Sequence, residues 1–241
     1  MSLFIEVCVD SLGGAFIAEK AGADRIELNS ALALGGLTPS LGTFLEIRKK
    51  ISLPIVIMIR PRAGDFYYSK EEFEIMLKDI ELFVSYGAKS FAIGILDNNK
   101  ELDLKRMKIL IKKGGGAEIV LHRAFDITPD PFKTLERAVD LGIKRILTSG
   151  QKKTALEGAE LIKRLIEKAD GRIEILPAGG INRSNIEKLI SITGVEQIHG
   201  SFLKKEKNIN QSNLQSNHFG LFYLPDLIEI KKIKNIFNST K

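Results

Sequence analysis

A chain of 241 residues with 44% hydrophobic content can bury the core of one large domain, and about 250 residues is the usual size of a (β/α)8 barrel. No apolar run approaches the roughly 20 residues that cross a bilayer, and the single cysteine excludes an internal disulfide framework. Of the formal charge of +6, about +4 sits at the end, where seven Lys from Lys204 onward face Glu206, Asp226 and Glu229; the preceding residues are nearly balanced, which argues against the clustered cationic face that nucleic acid requires.

The start of the chain reaches a charge at Glu6 with no basic stretch before it, so it does not read as a secretory signal. The cytoplasm is the expected compartment, with no membrane partner. Apolar, β-branched runs then alternate with amphipathic stretches. Strands are predicted at Leu3–Val9, Arg25–Leu28 and Ile55–Arg60, with a helix over Pro39–Lys50. Ser69 before Lys70-Glu71-Glu72 signals the start of a helix over Lys70–Tyr86, followed by a strand at Ser90–Ile95. Gly114-Gly115-Gly116 precedes the strand Glu118–His122 and reads as a helix stop, not a phosphate loop. Thr128-Pro129 is read as the next helix start, and strands follow at Arg145–Thr148, Ile173–Leu176 and Gln197–His199, with a helix over Thr154–Ala169. Residues 203–220, rich in Asn, Ser, Gln and Lys and containing His218, read as a long loop; Leu224–Phe237 then supplies a closing helix.

A fourfold echo runs through this order. Gly22, Gly87, Gly142 and Gly194 each end a helix, and an apolar strand residue follows four positions later. Ile5, Ile55, Ile119 and Ile173 repeat likewise in the odd strands. Four βαβα units give eight strands, the closing number for an α/β TIM barrel of one domain, with residues 1–202 as its core and 203–241 as a loop and helix that complete it. An open doubly wound sheet has fewer strands and no such rhythm.

Strand side chains alternate between the lumen and the helix layer. With Ile5, Val7, Val9, Ile26, Leu28, Ile57 and Ile59 facing the helices, the lumen receives Glu6, Cys8, Asp10, Arg25, Glu27, Asn29, Met58 and Arg60, joined by His122 and His199. Buried charges are costly unless paired, so the set is either a functional pocket or a ring of Arg–Glu pairs plugging the barrel. Most lie at the C-terminal strand ends, where barrels of this type carry their active sites.

The motifs around these residues resemble the CutC family, the copper homeostasis proteins. They are Glu6-Val7-Cys8-Val9-Asp10-Ser11, Gly22-Ala23-Asp24-Arg25-Ile26-Glu27-Leu28, Gly35-Gly36-Leu37-Thr38-Pro39-Ser40 and Met58-Ile59-Arg60-Pro61-Arg62. Gly64-Asp65-Phe66-Tyr67-Tyr68-Ser69, His122-Arg123-Ala124-Phe125-Asp126, Leu147-Thr148-Ser149-Gly150-Gln151 and Ala178-Gly179-Gly180 continue the likeness in order. The resemblance implies a cytosolic (β/α)8 barrel, a homo-oligomer of two or four chains, and a role in copper homeostasis with copper as the bound ion. Where many members carry Glu-Leu-Cys-Ser, this chain has Glu27-Leu28-Asn29-Ser30. Cuprous copper prefers thiolate and thioether ligands, which leaves Cys8 and Met58 as the metal candidates, helped by His122 or His199.

A second reading is an enzyme acting on a small phosphate- or carboxylate-bearing molecule. Arg60, Arg62 and Arg123 are guanidinium forks at strand ends; Thr148, Ser149, Gly179, Gly180 and Ser201 could add donors around an anion. Glu6, Glu27, His122, Asp126 and His199 are then the candidates for general acid or base. No Lys ends a strand, which disfavours Schiff-base chemistry, and no His-x-His pair follows the first strand. Proton transfer, lyase and isomerase chemistry stay open, and Asp65-Phe66-Tyr67-Tyr68 could cover the mouth.

Overall fold

The structure is a computed structural model that describes residues 3–206 and 222–239. In chain order it runs β1 (Phe4–Val9), α1 (Leu12–Ala21), β2 (Arg25–Leu28), α2 (Leu41–Lys50), β3 (Ile55–Met58), α3 (Lys70–Ser85), β4 (Ser90–Ile93) and α4 (Leu104–Lys113). It continues with β5 (Glu118–Leu121), α5 (Pro131–Asp140), β6 (Arg145–Thr148), α6 (Ala159–Ala169), β7 (Glu174–Pro177), α7 (Ile186–Thr193) and β8 (Gln197–Gly200). Then come β9 (Leu203–Glu206), β10 (Phe222–Pro225) and α8 (Leu227–Ser239), while short 3-10 turns cover Leu32–Leu34 and Arg123–Ile127.

The first eight strands form one parallel sheet in the order β7-β6-β5-β4-β3-β2-β1-β8. A bridge between Ala178 and His199 brings the end of β7 against β8, so the sheet is a nearly closed barrel. Each crossover is helical, the connection a parallel strand pair requires. Gly22, Gly87, Gly142 and Gly194 all have left-handed backbones, with φ of 85°, 78°, 70° and 68°, at the places where a helix hands over to an even-numbered strand. The fourfold rhythm in the sequence is therefore a repeated helix stop.

The alternation separates two apolar compartments. Ile5, Val7, Val9, Ile26, Leu28, Ile57 and Ile59 pack with the helices in the larger one. Val56, Met58, Ala92, Val120, Leu147, Leu176 and Ala178 form a small cluster of their own inside the barrel. α3 shows how a helix is fixed to this frame: Ser69 accepts from the Glu72 N–H at 3.2 Å while the Glu72 carboxylate accepts from the Ser69 N–H at 2.8 Å. Its Phe73, Met76, Ile80 and Phe83 are the buried face.

Several boundaries differ from the sequence reading. β3, β4 and β5 stop before Arg60, Ile95 and His122, which lie on the loops that follow. The fifth helix starts at Pro131, not at Thr128-Pro129, because Asp130 accepts from the N–H groups of Phe132 and Lys133 while Thr128 closes the preceding turn onto Phe125. α6 starts at Ala159 and not at Thr154, since the intervening residues turn against Ser149 and Gly150. Leu203–Glu206 is not loop but a strand, paired antiparallel with Phe222–Pro225; the rest of the predicted loop, His218 included, lies outside the described residues. Lys234 of α8 reaches Asp24 and the Leu3 carbonyl, tying this last helix to the bottom of β1. No helix among the described residues is long and apolar enough to cross a membrane.

Candidate functional site

Strand register assembles the polar lumen. Glu6 of β1 is level with Arg25 of β2 on one side and with His199 of β8 on the other, and Cys8 is level with Glu27. Paired residues on neighbouring strands point to the same face, so these five side chains converge inside the barrel. The Glu6 carboxylate accepts from Arg25 Nε and is 2.7 Å from His199 Nδ1. His199 Nε2 stands 3.9 Å from the Glu27 carboxylate, and the Cys8 thiol donates to the same carboxylate at 3.6 Å.

Each of these groups is buried, and the charges set one another. Burial alone would raise the Glu6 carboxyl, but the hydrogen bond and charge of His199, together with Arg25, hold it at about 2. Burial also opposes charging of His199; the Glu27 and Glu6 carboxylates prevail and its pKa is raised. Glu27 moves up, by burial first and then by the Glu6 charge, against the pull of His199. The Cys8 thiol is pushed well up by burial and by Glu27, so the proton stays on sulfur in the metal-free protein. Asn29 completes the group, its Nδ2 donating to Cys8 Sγ at 3.2 Å and to the Glu27 carboxylate at 2.9 Å. The sequence put Asn29 in the lumen by parity but gave it no role. Cys8 Sγ, a Glu27 oxygen and a His199 nitrogen all lie within 4.8 Å of one another.

These three line a cavity of about 910 Å³ at the C-terminal mouth, together with Met58, Arg60, Phe66, His122 and Arg123. Phe202, Leu203, Lys204, Asp226 and Glu229 form its rim on the β8 side, a contribution of the last segment that strand parity could not reveal. His122 is buried, accepts from the Ala124 N–H through Nδ1 at 3.2 Å, and packs against Phe66 in a tilted arrangement with ring centres 4.9 Å apart. Burial, reinforced by the charge of Arg60, pulls its pKa down to about 3, so the ring is neutral and its Nε2 carries the proton. Among the described residues that Nε2 has no partner. Arg60 spends Nη1 on the Leu34 and Gly36 carbonyls and Nη2 on the Gly64 carbonyl; among the described residues its buried Nε has no acceptor in hydrogen-bond geometry, and the Tyr68 hydroxyl lies beside the guanidinium.

Other candidates stand elsewhere. Arg62 does not line the cavity: it pairs with Glu72 and Asp65 and donates to the Ala63 and Tyr67 carbonyls, clamping the loop before α3. Asp126 lines the cavity but accepts from Thr148 Oγ1, the Ser149 and Gln151 N–H groups, Ser149 Oγ and Arg123 Nε, so its oxygens are occupied. Thr148 and Ser149 are fully buried and outside the cavity lining, held by Asp126 and by the Lys152 carbonyl. Gly179, Gly180 and Ser201 are on the lining, the two glycines with φ of 100° and 67°.

Comparison with known proteins is consistent along the chain. A family model described as the CutC family matches residues 3–204. A CutC family protein of Treponema denticola is 48% identical over 228 residues, covering 94% of this chain and 93% of the relative. The human copper homeostasis protein cutC homolog is 44% identical over 197 residues, covering 82% and 72%. The crystal structure of CutC from Streptococcus agalactiae superposes with a TM-score of 0.79 at 35% identity, covering 83% of this chain and 98% of that one. Phosphoribosylanthranilate isomerase from Pyrococcus furiosus, at a TM-score of 0.55 and 15% identity, shares the fold alone.

Proposed function

The chain belongs to the CutC family, and from that premise we propose that it serves copper homeostasis by holding a copper ion on Cys8, Glu27 and His199. One observation carries the reading: a thiol, an imidazole and a carboxylate, from three adjacent strands, are buried within 4.8 Å of one another. Buried groups of this kind gain a shared partner when a cation replaces the thiol proton. The donor set suits copper in part. Cys8 is a soft ligand and His199 a borderline one, while the Met58 thioether lines the same cavity. Glu6 supports the set from below by fixing His199 Nδ1, which leaves Nε2 as the ligand nitrogen. Copper enters here as cargo, and the open mouth is its route.

The arginines of the lumen do not forbid a cation. Arg25 is paired with Glu6, Arg123 with Asp126, and Arg62 is outside the cavity; Arg60, which has no ion-pair partner among the described residues, lies past the end of β3, whereas the three ligands stand on β1, β2 and β8. The test is an anaerobic titration of cuprous copper against a chromophoric chelator, using the full chain. One ion per chain is expected. Cys8→Ser and His199→Ala should each weaken binding by at least about tenfold. Equal affinity in both variants, or no binding by the parent protein, would sink the assignment.

A further inference from the structure

We infer that the cavity wall at the ends of β3 and β5 binds the oxygens of a small anion, a phosphate or a carboxylate, through His122 Nε2–H and Arg60 Nε–H. The inference does not depend on copper at Cys8. Both donors are on buried side chains that line the cavity; among the described residues His122 Nε2 has no acceptor and Arg60 Nε has none in hydrogen-bond geometry, the buried Tyr68 hydroxyl being the group beside the guanidinium. A buried donor without an acceptor costs free energy, so such atoms are rare unless a ligand or water completes them. Two of them share one wall here. Phe66 holds them together, its ring 4.9 Å from the His122 ring and 5.1 Å from the Arg60 guanidinium carbon.

Neither donor is free to turn away. The Ala124 N–H donates to His122 Nδ1, which leaves the ring proton on Nε2. The Leu34, Gly36 and Gly64 carbonyls take the outer nitrogens of Arg60 and fix the direction of Nε. Among the described residues no carboxylate pairs with Arg60, whose outer nitrogens go to carbonyls that carry no net charge. Asp126, a carboxylate on the lining, has its oxygens filled by Thr148, Ser149, Gln151 and Arg123. This wall therefore offers donors and positive charge, with the Tyr68 hydroxyl beside Arg60, a pattern that suits an oxyanion better than a cation. Arg123 Nη1 and the backbone of Gly180, with its φ of 67°, extend the wall toward the mouth.

The test is an NMR titration of the full-length, metal-free protein with inorganic phosphate and, separately, with malonate. Saturable shifts are expected at His122 Nε2–H, Arg60 Nε–H and the Gly180 amide, and the probe that saturates first tells phosphate from carboxylate. His122→Phe keeps a ring against Phe66 but removes the donor and should weaken binding about tenfold. His122→Asn, which retains an acceptor for the Ala124 N–H, serves if the first variant does not fold and should weaken it likewise. Cys8→Ser should bind the anion as the parent does, which separates this outcome from that of the copper titration. No saturable shift with either probe, shifts confined to exposed lysines, or unchanged affinity in the folded His122 variants would overturn the inference.

Discussion

Replacing Glu6 with Gln removes one charge from a buried set that also contains Arg25, His199 and Glu27. In the native protein the carboxylate accepts from Arg25 and is bonded to His199 at 2.7 Å. Its pKa of about 2, against an ordinary 4.5, corresponds to about 3 kcal/mol of stability at neutral pH. The sign follows from the depressed value: this stabilisation is complete above pH 4.5 and is lost as the pH falls toward 2. Gln can still accept a hydrogen bond, but it leaves Arg25 buried without a counter-charge, and breaking one side of a buried pair costs roughly 3–5 kcal/mol. Glu6→Gln should therefore lose about 3 kcal/mol in urea denaturation at pH 7, with the gap to the parent narrowing below pH 4.5. His199 should also titrate lower, because one of the two carboxylates that raise it is gone; the imidazole carbon-bound protons report this by NMR. A variant within about 0.5 kcal/mol of the parent at pH 7, or a deficit that does not change with pH, would refute the electrostatic account of this set.

Three further outcomes follow from the same geometry. Asn29→Cys places a second sulfur beside Cys8, where Asn29 Nδ2 now sits 3.2 Å from Sγ, and should tighten cuprous copper by at least about tenfold in the chelator competition. His122→Asn removes a histidine held neutral at about 3; since a depressed histidine stabilises above its unfolded value of 6.5 and loses that contribution as the pH falls toward 3, the variant should show a smaller stability loss between pH 6.5 and 3 in urea titrations. Gly94→Ala would put its Cβ 2.6 Å from His122 Cε1 and 2.8 Å from the Ala124 Cβ, so thermal unfolding should register a loss of about 1–3 kcal/mol.

The fold was legible because barrel closure imposes its periodicity on the chain. Helix stops recur at Gly22, Gly87, Gly142 and Gly194, and the apolar residues of the strands keep one parity. The same parity brought Glu6, Cys8, Glu27, Met58 and His199 into one lumen, because the direction of a strand side chain is decided locally. Partners are not. Arg62 follows β3 closely as Arg60 does, yet Glu72 from the first turn of α3 and Asp65 from the loop capture it. Asp126, Thr148 and Ser149 each looked available for chemistry, but two successive strand-end loops bring them together and they satisfy one another. The β9–β10 pair escaped notice because Leu203-Lys204-Lys205-Glu206 is short and charged, and its partner strand is distant along the chain.

The sequence left the copper and anion readings as competitors, since guanidinium groups near a thiol repel a cation. The structure separates them in space. Cys8, Glu27 and His199 stand on β1, β2 and β8, with acidic neighbours and with Arg25 neutralised by Glu6. Arg60 and His122 stand past β3 and β5, where Arg60 has no ion-pair partner among the described residues and where burial, reinforced by the Arg60 charge, keeps His122 neutral. One cavity of about 910 Å³ thus has an acidic wall and a donor wall. A cation on the first and an anion on the second would each lower the cost of binding the other, because every added charge is opposite in sign to its neighbour across the lumen. Copper and a small oxyanion are in that case partners in one site, and phosphate or malonate should raise the affinity for copper by the same factor that copper raises theirs.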